Sequence, residues 1–128
     1  MNTNELTNRL ELKELVDTFS ILADTKDVAQ QVLLFKEDAV VTSHRNEKIG
    51  NTYQGRQEIG QAFSNYLNLF HIVYHINGQQ TLTFTDDTHA TGIAYCQVVL
   101  IRDEEGKEIQ LTQGVRTMTA MKRLMENG

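Results

Sequence analysis

The chain has no proline and no tryptophan, one cysteine, and no excess of basic residues. Each absence removes a class of protein. A lone Cys96 excludes an internal disulfide and cannot build a thiolate metal site. A formal net charge of −5, with no basic run to offset it, argues against nucleic acid or an anionic membrane as partner. No apolar stretch approaches the roughly 20 residues that a membrane span needs. Met1 to Glu5 offers neither a basic nor an apolar segment, so no secretory signal is expected and the cytoplasm is the expected location. What remains is ordinary. With 128 residues, 40% of them hydrophobic and 23% charged, residues 1–128 are expected to form one domain with a core of its own.

The pattern divides the chain into a helical part and a β part. Leu12, Leu15, Val16, Phe19, Leu22 and Ala23 recur at helical spacing, so a long amphipathic helix starts near Thr3 or Asn4. Asp24-Thr25-Lys26-Asp27 interrupts it, and a short helix through Val28, Val32 and Leu33 leads to an expected strand at Phe35–Val41. Asn46 to Gly55 is polar and rich in turn residues, which suits a hairpin loop with a brief return strand. Ile59, Ala62, Phe63, Tyr66, Leu67 and Phe70 then mark a third helix, from Gly55 to Phe70. From His71 the period becomes two. Gln79–Thr85 alternates, a turn follows at Asp86-Asp87, and Thr88–Ile101 reads as a long strand. After the turn at Asp103–Gly106, Lys107–Arg116 returns antiparallel. This is an α+β chain, with a curved antiparallel sheet expected to wrap around about three helices as a cone.

Several segments in this order resemble the SnoaL-like branch of the NTF2-like superfamily. They are Leu22–Asp27, Leu34–Val40, Tyr53–Ile59, His71–His75 and Ala90–Cys96, and the resemblance covers about residues 5–116. It implies a cone whose pocket holds a small molecule, and a homodimer formed through the sheet. It also implies kinship with polyketide cyclases, dehydratases and ketosteroid isomerases, enzymes that move a proton beside a carbonyl without a cofactor. A fold shared so widely selects no single activity.

Candidate residues follow from that chemistry. His75 is the candidate base, since its place resembles that of a dehydratase's catalytic histidine and imidazole titrates near neutrality. Asp24 resembles the acid that orients such a histidine, although aspartate also ends helices without any catalysis. His71, four residues before His75, shares its strand face if the strand is regular. Asp38 stands near the isomerase base position but also reads as an exposed start to a strand. Phe19 and Ala23 occupy places where enzymes of the fold carry a tyrosine, so the phenolic donor to an enolate oxygen is missing there. Tyr53, Tyr74 and Tyr95, together with Phe63, are the substrate-binding candidates, and Tyr66 is a further phenol. No metal is expected, because His71 and His75 on a strand stand about 13 Å apart. Either a cofactor-free lyase or isomerase, or a non-catalytic binding or dimerisation module, fits these residues.

The tail departs from the resemblance. Relatives end in a further strand that begins Lys-Trp, whereas Thr117–Gly128 has methionines at helical spacing (Met118, Met121, Met125) and no tryptophan. Reading the codons of this tail one base earlier forces Asp, Glu and Gly after the methionine codons and permits an ending Asp-Gly-Lys-Trp. A single-base deletion near the Arg116 codon, with the last strand lost, is therefore expected. Sequencing the gene checks it. An Asn127 codon ending in C rules the deletion out, because the shifted frame then cannot encode tryptophan.

Overall fold

A computed structural model describes residues 3–45, 48–86 and 88–122. Helix α1 spans Thr3–Asp24, and Leu12 and Ala23 from the expected apolar stripe are fully buried. Its end is defined residue by residue. Asp27 N–H bonds Leu22 O at 2.8 Å and Lys26 N–H bonds Ala23 O at 3.0 Å. Lys26 itself takes the left-handed conformation, φ 59°. This is the Schellman arrangement with a lysine where glycine is usual. Lys26 Nζ also donates to Phe70 O, which ties the end of α1 to the chain leaving the third helix. Asp27 Oδ1 then accepts from Gln30 N–H and caps α2, Val28–Gln31, after which a single 3-10 turn covers Val32–Leu34. The charged tetrapeptide thus stops one helix and starts the next.

The first strand lies later than its apolar residues implied. Phe35–Ala39 is not strand: Ala39 N–H bonds Lys36 O at 3.1 Å in a turn that keeps Glu37 and Asp38 exposed. Strand β1 is Val40–Arg45, paired antiparallel with β2, Lys48–Gln54, and Asn46 falls outside the described residues. Phe35 packs by its ring instead, edge-on to Phe19 at 5.6 Å. Helix α3 runs Gly55–Leu67 and begins at Gly55 with φ +84°, a conformation that favours glycine. It stops three residues short of Phe70. Tight turns at Leu69 and Phe70 end it and carry the Phe70 ring into the core at 4% exposure.

The main sheet contains β3, Ile72–Phe84, β4, His89–Glu104, and β5, Lys107–Lys122, in that order and all antiparallel. Glu105 and Gly106, at φ 52° and 79°, make the two-residue turn between the last two. Gly92 is needed where β3 and β4 meet, since a Cβ there would lie 2.6 Å from Thr81 O. Ala23, Leu67, Phe70, Val73, Val98 and Leu100 form the buried cluster between the helices and one face of the sheet.

Strand β5 outruns the expected stop at Arg116. Its backbone stays in register from Arg116 opposite Tyr95 to Lys122 opposite His89. The helical spacing of Met118 and Met121 is not used, because β4 extends to His89 and its backbone groups on that side take ladder partners. Met125 and the rest of 123–128 lie outside the described residues. Among the described residues, no strand follows β5 or pairs with its far edge.

Candidate functional site

Asp24 closes α1 with a negative charge at the end of the helix that already carries negative partial charge. Such placement costs about 0.3–1 kcal/mol unless donors answer it. His75 supplies both donors. Its backbone N–H bonds Asp24 Oδ1 at 2.9 Å, and its ring Nδ1 lies 2.6 Å from the same oxygen. The N–H is available because β3 is an edge strand of its sheet, with every second N–H turned away from β4. Val73 and His75 point to the same face, and Val73 anchors it in the core at 5% exposure. The ring and the carboxylate are mostly covered yet reach solvent, at 15% and 25% side-chain exposure.

This geometry fixes the tautomer. An ionised carboxylate only accepts, so Nδ1 must carry the proton. Nε2 is then left with its lone pair, in the arrangement by which a carboxylate prepares histidine as a base. An imidazolium formed at Nε2 would be stabilised by the carboxylate behind it.

The other sequence-derived candidates are distributed elsewhere. His71 precedes the strand and is exposed, its N–H on Ile101 O at 2.9 Å, and it does not join the pair. Tyr74 and Tyr95, 53% and 45% exposed, lie on the opposite face of the sheet from His75. Phe63 belongs to an aromatic cluster, 5.8 Å from Phe19 and 6.1 Å from Phe35 between ring centroids. Tyr53 lines an open cavity of about 600 Å³ along the outer face of α3, with Glu58, Gln61, Ala62, Asn65, Tyr66 and Leu69. Asp24 and His75 do not line that cavity, so the large concavity and the proton-transfer geometry are in different places. No histidine lines the groove along α3, whereas the dyad sets an imidazole on a carboxylate. Asp38 is exposed. His89 faces Asp86 at 2.9 Å, a contact that holds the Asp86 carboxyl down to about 2.

Residues that the sequence reading passed over complete the neighbourhood. Asn77 lies two positions beyond His75 and bonds both Ser20 and Asp17 on α1. The only signal was their spacing, since Asp17, Ser20 and Asp24 share one helix face. Cys96 pairs with Asn77 across the sheet and packs on the core cluster. Burial pushes its thiol up, and the Asp24 charge adds to the effect, so the sulfur stays protonated at neutral pH. Among the described residues, no group of three His, Cys, Asp or Glu side chains could hold a metal ion. No helix among them is long and apolar enough to cross a membrane.

The family model for the SnoaL-like domain matches residues 4–123. The chain therefore belongs to the SnoaL-like family. No curated protein matches it in sequence. Among solved structures, it is similar to a candidate scytalone dehydratase from Novosphingobium aromaticivorans, at TM-score 0.70 and 14% identity over 93% of this chain and 91% of that one. It is also similar to a candidate dehydratase of the NTF2-like family from Streptomyces avermitilis (TM-score 0.70, 13% identity, 91% of this chain and 86% of that one). A hexachlorocyclohexane dehydrochlorinase, LinA type 2, gives TM-score 0.64 and 16% identity over 94% of this chain and 93% of that one. At these identities the likeness is one of fold.

The Asp17 carboxyl is held below the usual range, chiefly by its hydrogen bond from Lys13, with Asn77 adding to it. A carboxyl depressed on folding stabilises the fold above its unfolded value, about 3.9. That contribution is lost as pH falls through its lower folded value. The Asn77 side-chain amide signals in an NMR titration are therefore expected to stay constant down to about pH 4 and to shift only below it. Movement centred near neutrality would contradict the contact.

Proposed function

We propose that this protein is a cofactor-independent lyase or isomerase for a small, largely apolar carbonyl or hydroxyl compound, with His75 as base and Asp24 as its support. The observation that carries this reading is the single Asp24 oxygen bonded to both the backbone N–H and Nδ1 of His75. In a dehydration, Nε2 takes the proton α to the carbonyl, and the C–H electron pair forms the Cα=Cβ bond as the β C–O bond breaks. The β-hydroxyl then leaves with the proton returned by the imidazolium, as water, and a C=C bond remains. Similarity in fold to dehydratases and a dehydrochlorinase supports an elimination over other proton transfers. The apolar neighbours, Val98 opposite His75 in the sheet and Ala23 and Val73 packed with it, suit a neutral substrate.

The test is direct. Cyclic β-hydroxy ketones are offered as substrates and enone formation is followed by absorbance. His75→Ala is expected to lower turnover by roughly 10²-fold or more, and Asp24→Asn to lower it while the fold persists. Equal turnover by wild type and His75→Ala removes the catalytic reading. It leaves the alternative, a non-catalytic binding module, for which the separate α3 cavity is the supporting observation.

The protein is further proposed to be a homodimer through the sheet. Ile72, Tyr74, Ile76 and Tyr95 are 45–53% exposed on the outer sheet face, opposite the core. Ile72 pairs with Ile101 and Tyr74 with Val99, so the apolar side chains are contiguous. Tyr74→Glu is expected to convert a dimer to a monomer in analytical ultracentrifugation, and a monomeric wild type sinks the idea.

A further inference from the structure

Polar contact between α1 and β3 continues beyond Asp24. Ser20 Oγ donates to Asn77 Oδ1 at 3.0 Å, and Asn77 Nδ2 donates to Asp17 Oδ1 at 2.9 Å. Lys13 Nζ donates to that same Asp17 oxygen at 2.8 Å. Asp17, Ser20 and Asp24 stand at i, i+3 and i+7, and His75 and Asn77 at i and i+2. One stripe of the helix therefore meets one face of the strand. Most of an amphipathic helix's inner stripe is apolar, so a run of paired polar groups here is a specific arrangement.

We propose that Asn77 is a positioning residue for His75. Its amide, clamped between Ser20 and Asp17, sets the register of α1 on β3 and so keeps Nδ1 on Asp24. The proposal rests on the reading of His75 as the base.

The sheet alone does not hold this part of β3. Pairing with β4 is regular to Asn77 opposite Cys96, then shifts and resumes at Gln80 opposite Ala94. His75 thus lies two residues from a bulge, on an edge strand, where the ladder restrains the backbone least. The amide clamp acts at the last paired residue before that break. It is also directional, because an asparagine side chain has one accepting and one donating end. The Ser20 hydroxyl matches the first and the Asp17 carboxylate the second, so a single orientation satisfies both. Ser20 is buried at 8% exposure, where an unmet partner is costly and a slipped register disfavoured.

Two NMR signals of the full chain report on His75 without needing a substrate. One is the imidazole tautomer at neutral pH, and the other is exchange of its backbone amide, which bonds Asp24. Tyr74 and Ile76, whose amides the strand alternation turns toward β4, are the internal reference. Asn77→Asp sets an acceptor against Asp17. It is expected to speed His75 amide exchange tenfold or more relative to Ile76, and to mix the Nδ1–H tautomer with the other form. Ser20→Ala, a small change that keeps the fold, is expected to move both signals less in the same direction. The double variant N77D/D17N exchanges donor and acceptor, with the half-exposed Lys13 turning to the amide oxygen that remains at position 17, and is expected to bring the exchange ratio back to within threefold of wild type. Unchanged ratio and tautomer in Asn77→Asp and Ser20→Ala overturn the proposal, even if the melting temperature falls. So does a double variant that restores neither signal. A wild type without the Nδ1–H tautomer fails the base reading itself, and the proposal with it.

Discussion

The carboxylate of Asp24 ends a 22-residue helix where the helix dipole disfavours it, and two hydrogen bonds from one strand residue reverse that penalty. Much of the geometry depends on this meeting. It covers an N–H on the open edge of β3, and it fixes which imidazole nitrogen is basic. It also brings the last turn of α1 onto the sheet beside Ala23, Val73 and Val98, the core that excludes water from one side of the pair. Neither partner would be well placed alone. A helix-terminal aspartate would face solvent, and an edge-strand histidine would choose its tautomer by chance.

The local chain is built to deliver that aspartate. Thr25, Lys26 and Asp27 close α1, turn the chain through a left-handed residue and cap the next helix within four positions of Asp24. Lys26 reaches Phe70 O, so the end of α1 is held to the chain just before β3 begins. The result is a short covalent and hydrogen-bonded circuit from helix to strand.

Polar and apolar interactions divide the work along α1. Leu12 and Ala23 are buried and supply adhesion that has little directional preference. Asp17, Ser20 and Asp24 supply direction through defined donors and acceptors. Apolar packing sets how close the helix lies, and the hydrogen bonds set where along the strand it stops. The outer sheet face carries the other large apolar surface, with Ile72, Tyr74 and Ile76 turned away from the site.

The sequence by itself determined the element types and the stop at Asp24–Asp27, because helical and strand periodicity and turn chemistry are local, whereas Asp24 and His75 were singled out by resemblance to the family. It misplaced the first strand, since Phe35 looks equally apolar in a strand or as a ring packed on Phe19. It also left the methionine-rich tail open to a helical reading, because only the length of β4 decides whether Thr117–Lys122 has a ladder to join. Tyr74 and Tyr95 could not be assigned to a face until pairing and the bulge were known. Tertiary structure alone decided that Asp24 and His75, 51 residues apart, share an oxygen. It alone showed that Asn77 belongs with Ser20 and Asp17. Contacts of that range depend on register between elements, which no local pattern encodes.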